Sequence, residues 1–156
     1  MTLTRRHTLT ILAAFPAQAI VTPVFAQSRD VWTVAEAFDA LLQDRIRLLD
    51  IRTPKEWQQT GVAKGAWPVS LNDKGFSERL FAARELAEHR AVALICATGG
   101  RSGSVMSSLR EAGYDGFIDV SEGMLGSRKG PGWVESGLPI VSAQNAIDAL
   151  PSSLKL

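Results

Sequence analysis

The chain has few of the side chains that most often carry chemistry. Its 156 residues include one cysteine, two histidines and one tyrosine. One cysteine excludes an internal disulfide and the paired Cys/His sets that hold structural zinc. His7 lies near the N-terminus, and His89 sits in the polar turn Glu88-His89-Arg90. An imidazole base beside the cysteine is therefore not expected. The formal net charge is +1, too small for the basic face that nucleic acid requires. No dinucleotide-binding glycine fingerprint, Walker loop or metal-ligand cluster occurs, so neither a cofactor nor a metal is expected. The one N-terminal apolar run is broken by Pro16, Gln18 and Pro23, which argues against a stable membrane span.

What is present reads as an exported, single-domain chain. Arg5-Arg6 precede an apolar stretch from Leu9 to Phe15, and small residues mark two cleavage points. Val24-Phe25-Ala26 is the preferred one and Ala17-Gln18-Ala19 the alternative. Thr4-Arg5-Arg6-His7-Thr8-Leu9 partly resembles a twin-arginine signal, which leaves both bacterial export routes open. The expected organisation is a signal peptide over 1–26, a linker over 27–31 and a folded domain over 32–156. In a Gram-negative source the mature protein would be periplasmic. A lone thiol in that compartment is exposed to oxidation, which favours a cysteine that works over one that fills space.

Alternating patterns run along the folded part. Thr33-Val34-Ala35-Glu36 is a capping box, predicting a helix to about Leu42. Ile46 to Ile51 reads as a buried strand. Thr53-Pro54-Lys55-Glu56 predicts a second capped helix that stops near Gly61. Trp67-Pro68-Val69 reads as a short edge segment, and Phe76 to His89 as a helix. A strand runs to Cys96, a helix from Ser102 to about Glu111 closed at Gly113, a strand from Phe117 to Val120, and a last helix from Ser142 to Leu150. Strands alternating with helices imply a three-layer α/β fold, a parallel sheet with helices on both faces.

The richest stretch is Ala91-Val92-Ala93-Leu94-Ile95-Cys96-Ala97-Thr98-Gly99-Gly100-Arg101-Ser102. A buried strand delivers Cys96 to its end, a glycine loop follows, and a helix begins. That arrangement aims backbone N–H groups and a helix N-terminus at one sulfur and favours its thiolate. Gly99 and Gly100 let the amides of Ala97 to Ser102 face inward. Thr98 and Ser102 offer hydroxyls, and Arg101 offers a permanent charge for the thiolate or an anionic substrate. Phosphate-handling cysteine enzymes resemble this layout with a loop one residue longer. The shorter ring suits a persulfide sulfur better than a tetrahedral phosphate.

In these residues the chain resembles the single-domain rhodanese family of sulfurtransferases. Cys96-Ala97-Thr98-Gly99-Gly100-Arg101-Ser102 is similar to the family's active loop. Leu48-Leu49-Asp50-Ile51-Arg52 with Pro54, Glu56 and Trp57, then Gly61 to Ala66, resemble segments upstream of it. Gly113 to Val120, Glu122-Gly123, Gly132-Trp133 and Gly137-Leu138-Pro139 resemble the downstream ones. The chain departs from the family at Val62, where a histidine is frequent, and at Ser127 to Gly132, an insertion that could flank the pocket.

The resemblance implies catalytic Cys96 and Arg101, with substrate bound by Ala97, Thr98, Gly99, Gly100 and Ser102. It gives Asp50 and Arg52 a bracing role, with steering of an anionic donor by Arg52 as the alternative. The implied reaction takes sulfane sulfur from thiosulfate or a similar small anion, through a Cys96 persulfide, to cyanide or a thiol acceptor. A periplasmic protein could be that acceptor. Two alternatives remain: a persulfide carrier for a periplasmic partner with little small-molecule turnover, and a phosphatase or arsenate reductase.

Overall fold

The computed structural model describes residues 30–155. Residues 1–26, read above as a signal peptide, and residues 27–29 of the expected linker lie outside them. Five parallel strands form the main sheet: β1 (Val31–Trp32), β2 (Ile46–Asp50), β4 (Trp67–Pro68), β5 (Ala91–Ile95) and β6 (Phe117–Val120). Their order is β1-β6-β5-β2-β4, so β5 is central and the proline-bearing β4 is an edge. A separate antiparallel pair joins β3 (Val62–Ala63) to β7 (Ile140–Val141).

Period-two alternation sends successive side chains of each central strand into opposite cores. Ile46, Leu48, Ala93, Ile95, Ile118 and Val120 face one core. That core is closed by α1 (Val34–Leu42), α2 (Pro54–Thr60) and α5 (Ala143–Asp148), which contribute Ala37, Trp57 and Ala146. Leu49, Val92, Leu94, Cys96 and Phe117 face the other. There α3 (Phe76–Leu86) and α4 (Gly100–Glu111) bring Leu80, Met106 and Leu109. The three layers expected from the sequence are present.

Local chemistry sets the helix starts. Thr33 and Glu36 form a reciprocal cap on α1, and Thr53 and Glu56 do the same on α2, with Pro54 at its first position. Ser142 caps α5. Several element ends fall one to three residues inside the sequence reading, α3 stopping at Leu86 and α5 at Asp148, and two further boundaries differ in kind. Val31, assigned there to the linker, pairs in register with Asp119 and belongs to the sheet. Helix α4 begins at Gly100 rather than Ser102, because Gly99 takes a left-handed cap with φ 81°. Local propensity discounts two glycines as loop, whereas tertiary packing holds this cap in place. Among the described residues no helix is long and apolar enough to cross a membrane.

Candidate active site

The chain leaves β2 toward β4 on one side and β5 toward β6 on the other. The connecting helices also diverge, α2 to one face and α4 to the opposite face. A crevice opens at such a switch point, beyond the carboxyl ends of the strands. Cys96 stands there as the residue after β5.

Helix α4 leaves its first N–H groups unclaimed. Its cap residue, Gly99, has no side chain and offers no capping acceptor. The sulfur of Cys96 takes that role. Backbone N–H groups of Thr98, Arg101 and Ser102 point at Sγ, and the Ser102 hydroxyl lies 3.6 Å from it. Burial alone pushes the thiol pKa up and is the largest single influence. The Ser102, Thr98 and Arg101 donors together outweigh it, so the thiol lies below its ordinary value. Cys96 is 1% exposed and packs with apolar residues, yet its sulfur faces amides.

Backbone from the segment after β6 holds the loop from beneath. Met124 N–H donates to Cys96 O and Leu125 N–H to Ala97 O, each at 2.8 Å. The approach is close enough that a Cβ on Gly99 would stand 1.9 Å from Ser121 O. Gly99→Ala should therefore displace the loop, at a cost of about 1–3 kcal/mol for the left-handed backbone alone. The expected readout is a lower denaturant midpoint together with slower alkylation of Cys96 at neutral pH. An unchanged alkylation rate would show that the loop cradle does not set the reactivity.

The structure places Arg101 differently from the role its charge suggested. Its amide serves the sulfur, but its guanidinium is turned to Glu56, with Nη1 at 2.9 Å from Oε2 and Nη2 on Oε1. Glu56 is thus both the α2 cap and the clamp between α2 and the cysteine loop. The sequence reading took Glu56 as a cap only. Its second partner lies 45 residues away, beyond the reach of local spacing.

The Arg101 hydrogen bonds, with those from Thr53, pull the Glu56 pKa down to about 2 against the opposing effect of burial. A carboxylate lowered on folding stabilises above its unfolded pKa, and that contribution is lost as pH falls through the folded value. Stability from this clamp should fade between about pH 4.5 and 2. Both side chains are partly exposed, 34% for Arg101 and 26% for Glu56, so screening keeps the contribution to about 1 kcal/mol or less. Glu56→Gln should flatten that acid limb of the stability curve while changing the neutral midpoint little. Acid unfolding identical to wild type would contradict the clamp.

Asp50 and Arg52 lie behind the loop, both fully buried. Arg52 Nε donates to both Asp50 oxygens at 2.9 and 3.1 Å. Its Nη1 reaches Thr60 Oγ1 and its Nη2 reaches Gly61 O, each at 2.7 Å. The pair ties the end of β2 to the end of α2 and is closed to solvent. Thr98 is exposed, and with Gly99 and Gly100 it lines a recess of about 300 Å³ closed by Ser127, Arg128 and Lys129. Residues 127–129 of the segment read above as an insertion therefore flank the loop. Trp133 is a core residue, its indole N–H on Pro139 O at 3.0 Å. His89 is the sole histidine among the described residues, and its side chain is 79% exposed. Among the described residues no group of three or more His, Cys, Asp or Glu side chains is placed to hold a metal ion.

Two buried acids escaped the sequence reading as functional candidates. Glu122 accepts from Val34 N–H at 2.8 Å and so anchors the start of α1. Asp119 faces the first turn of α4. A carboxylate inside the otherwise apolar run Phe117-Ile118-Asp119-Val120 was the available signal.

A parallel α/β sheet with one nucleophile in an amide cradle, at the carboxyl end of its central strand, defines a class of thiol-based proteins. The family model described as rhodanese-like domain matches residues 33–128, and the chain belongs to that family. It is 32% identical over 114 residues to thiosulfate sulfurtransferase 16, chloroplastic, of Arabidopsis thaliana, covering 69% of this chain and 88% of that protein. An uncharacterized protein of Rickettsia conorii is 26% identical over 114 residues, with 67% of this chain and 90% of that one covered. The crystal structure of a rhodanese-like domain protein from Staphylococcus aureus superposes with a TM-score of 0.54 at 24% identity, over 72% of this chain and 99% of that one, a likeness of fold.

Proposed function

We propose that the protein is a sulfurtransferase in which Cys96 carries sulfur between a small anionic donor and a nucleophilic acceptor. The observation that carries the reading is the convergence of three main-chain N–H groups and the Ser102 hydroxyl on one sulfur. The name of the Arabidopsis relative supports thiosulfate as the donor class.

The Cys96 thiolate attacks the outer sulfur of thiosulfate. The sulfur–sulfur bond of the donor breaks, its electron pair leaves with sulfite, and a Cys96 persulfide forms. Cyanide or a thiolate then attacks the outer persulfide sulfur and returns the thiolate. This is double displacement through a covalent intermediate. Negative charge stays on sulfur throughout, so the fixed amides of Thr98, Arg101 and Ser102 serve every step without rearranging. Arg101 acts through its amide and through the clamp to Glu56, and Asp50 and Arg52 hold α2 where that clamp can form.

The test is incubation with thiosulfate followed by intact mass measurement. The protein should gain the mass of one sulfur atom with release of sulfite, and lose it again on adding cyanide. Absence of both changes would refute the reading. We also read the chain as exported to the periplasm, which N-terminal sequencing of the mature protein from cell fractions checks. An intact Met1 in the cytosolic fraction would refute it.

A further inference from the structure

The reaction above sets an anion against an anion. A donor that carries its own negative charge has to reach the Cys96 thiolate, and like charges in contact repel. Arg101, the cation of the loop, is spent on Glu56. Arg52 is closed to solvent with Asp50. The amides of Thr98, Arg101 and Ser102 are aimed at Sγ itself. Charge to hold the donor has to come from outside the loop.

It stands across the recess. Thr98, Gly99 and Gly100 line that space from the loop, and Ser127, Arg128 and Lys129 line it from the turn after β6. Arg128 and Lys129 are exposed. The ion pairs of the described residues engage Arg47, Arg52, Arg79, Arg90 and Arg101, and neither Arg128 nor Lys129 enters one. Neither side chain donates a hydrogen bond among those residues. An acid is near and goes unused: Glu135 Oε2 lies 3.4 Å from where a Cβ on Gly126 would stand.

The backbone beneath these two cations is fixed. Ser127 N–H donates to Gly130 O at 3.0 Å and Gly130 N–H to Ser127 O at 3.2 Å, with Arg128 and Lys129 at the tip of the hairpin so closed. Ser127 Oγ accepts from Lys129 N–H at 3.1 Å and donates to Ser121 O at 3.4 Å. Ser121 O is the same carbonyl that Gly99 packs against, so one oxygen sets the turn and the cysteine loop relative to each other. Buried Glu122 backs the turn, its Oε1 2.1 Å from where a Cβ on Gly130 would stand. The Lys129 charge also reaches Asp119, which places it on the side of the turn that faces the start of α4.

We propose that Arg128 and Lys129 are specificity-determining residues that bind the oxyanion end of the sulfur donor in this recess while its outer sulfur points at Cys96. The arginine fork suits two oxygens of a sulfonate-like group, and the lysine adds a point charge. The inference rests on the sulfurtransferase reading and selects within it. The favoured donors carry oxygen-borne charge away from the sulfur they give, as thiosulfate does.

The experiment compares the alkylation rates of Cys96 by iodoacetate and iodoacetamide in the full chain. The two reagents meet the same thiolate and differ by one carboxylate, so the ratio of rates cancels the thiolate population and reads the charge around the sulfur. Neither transfers sulfur, so this inference and the sulfurtransferase reading can fail separately. The wild-type ratio should exceed that of free mercaptoethanol and fall as salt screens exposed charges. Arg128→Gln with Lys129→Gln should lower it about fivefold, the size that two exposed charge contacts supply. Arg128→Lys with Lys129→Arg keeps both charges and should retain it. Lys64→Gln with Arg110→Gln removes the same net charge. Lys64 precedes β4 and Arg110 lies in the last turn of α4, both away from the cysteine end of the sheet, so this pair should leave the ratio in place. In turnover, the double glutamine variant should raise the KM for thiosulfate about tenfold, and that for the monoanion methanethiosulfonate by less. A ratio unmoved by the double glutamine change, or lowered equally by the distant pair, overturns the proposal.

Discussion

Cys96→Ser is expected to abolish sulfur loading from thiosulfate, with sulfite release falling roughly 10³-fold or more, as for removal of a covalent nucleophile. The cradle stabilises an anion, and a serine hydroxyl at neutral pH is not one. The three amides and the Ser102 hydroxyl that favour a thiolate meet a neutral oxygen in the variant. Size changes little, and the same donors satisfy the new hydroxyl. The denaturant midpoint should therefore stay within about 1 kcal/mol of wild type in stability. That combination separates chemistry from folding. A folded Cys96→Ser variant that still gained sulfur would move the nucleophile elsewhere, and with a single cysteine in the chain it would end the persulfide mechanism.

Arg52→Ala should produce the largest loss of stability. The guanidinium and the Asp50 carboxylate are both closed to solvent, and Arg52 also satisfies Thr60 Oγ1 and Gly61 O. Removing it leaves an uncompensated buried carboxylate, which costs about 3–5 kcal/mol. Total stability of an ordinary domain is about 5–15 kcal/mol, so the variant would stand near the edge of folding at 37 °C. The effect should be strongly non-additive. Asp50→Ala combined with Arg52→Met removes both charges and should be less destabilised than the sum of the single changes. The damage should also reach the thiol, because the pair fixes where α2 ends and so where Glu56 meets Arg101. Urea unfolding of the single and double variants decides the matter. Additive losses would show that the pair is not the joint between β2 and α2.

Much of the architecture was legible because its causes are local. A threonine three residues before a glutamate starts a helix whether or not the rest of the chain is known, and both Thr33 and Thr53 do so. Short, nearly continuous apolar runs marked β2, β5 and β6 for the same reason, as strands covered on both faces require. Short elements were missed. β1, β3 and β7 have two residues each, too few to show a period, and they exist as strands only through partners distant in the chain. The start of α4 was misplaced because Gly99 and Gly100 have poor helix propensity, and what holds them is backbone from Ser121 and its neighbours.

By itself the sequence determined that one sulfur would end a central strand, at the mouth of a helix whose cap has no side chain. Strand, glycine and helix follow one another within a dozen residues, so their order already dictates which amides can turn toward Cys96. Only the tertiary structure decided what surrounds that sulfur. It turned the Arg101 guanidinium toward Glu56, 45 residues away, and brought Asp119 of a neighbouring strand up to Gly103 in the first turn of α4. The physical reason is range. Caps and periodicity act over about four residues, whereas a buried charge finds its partner through packing, which no local spacing encodes.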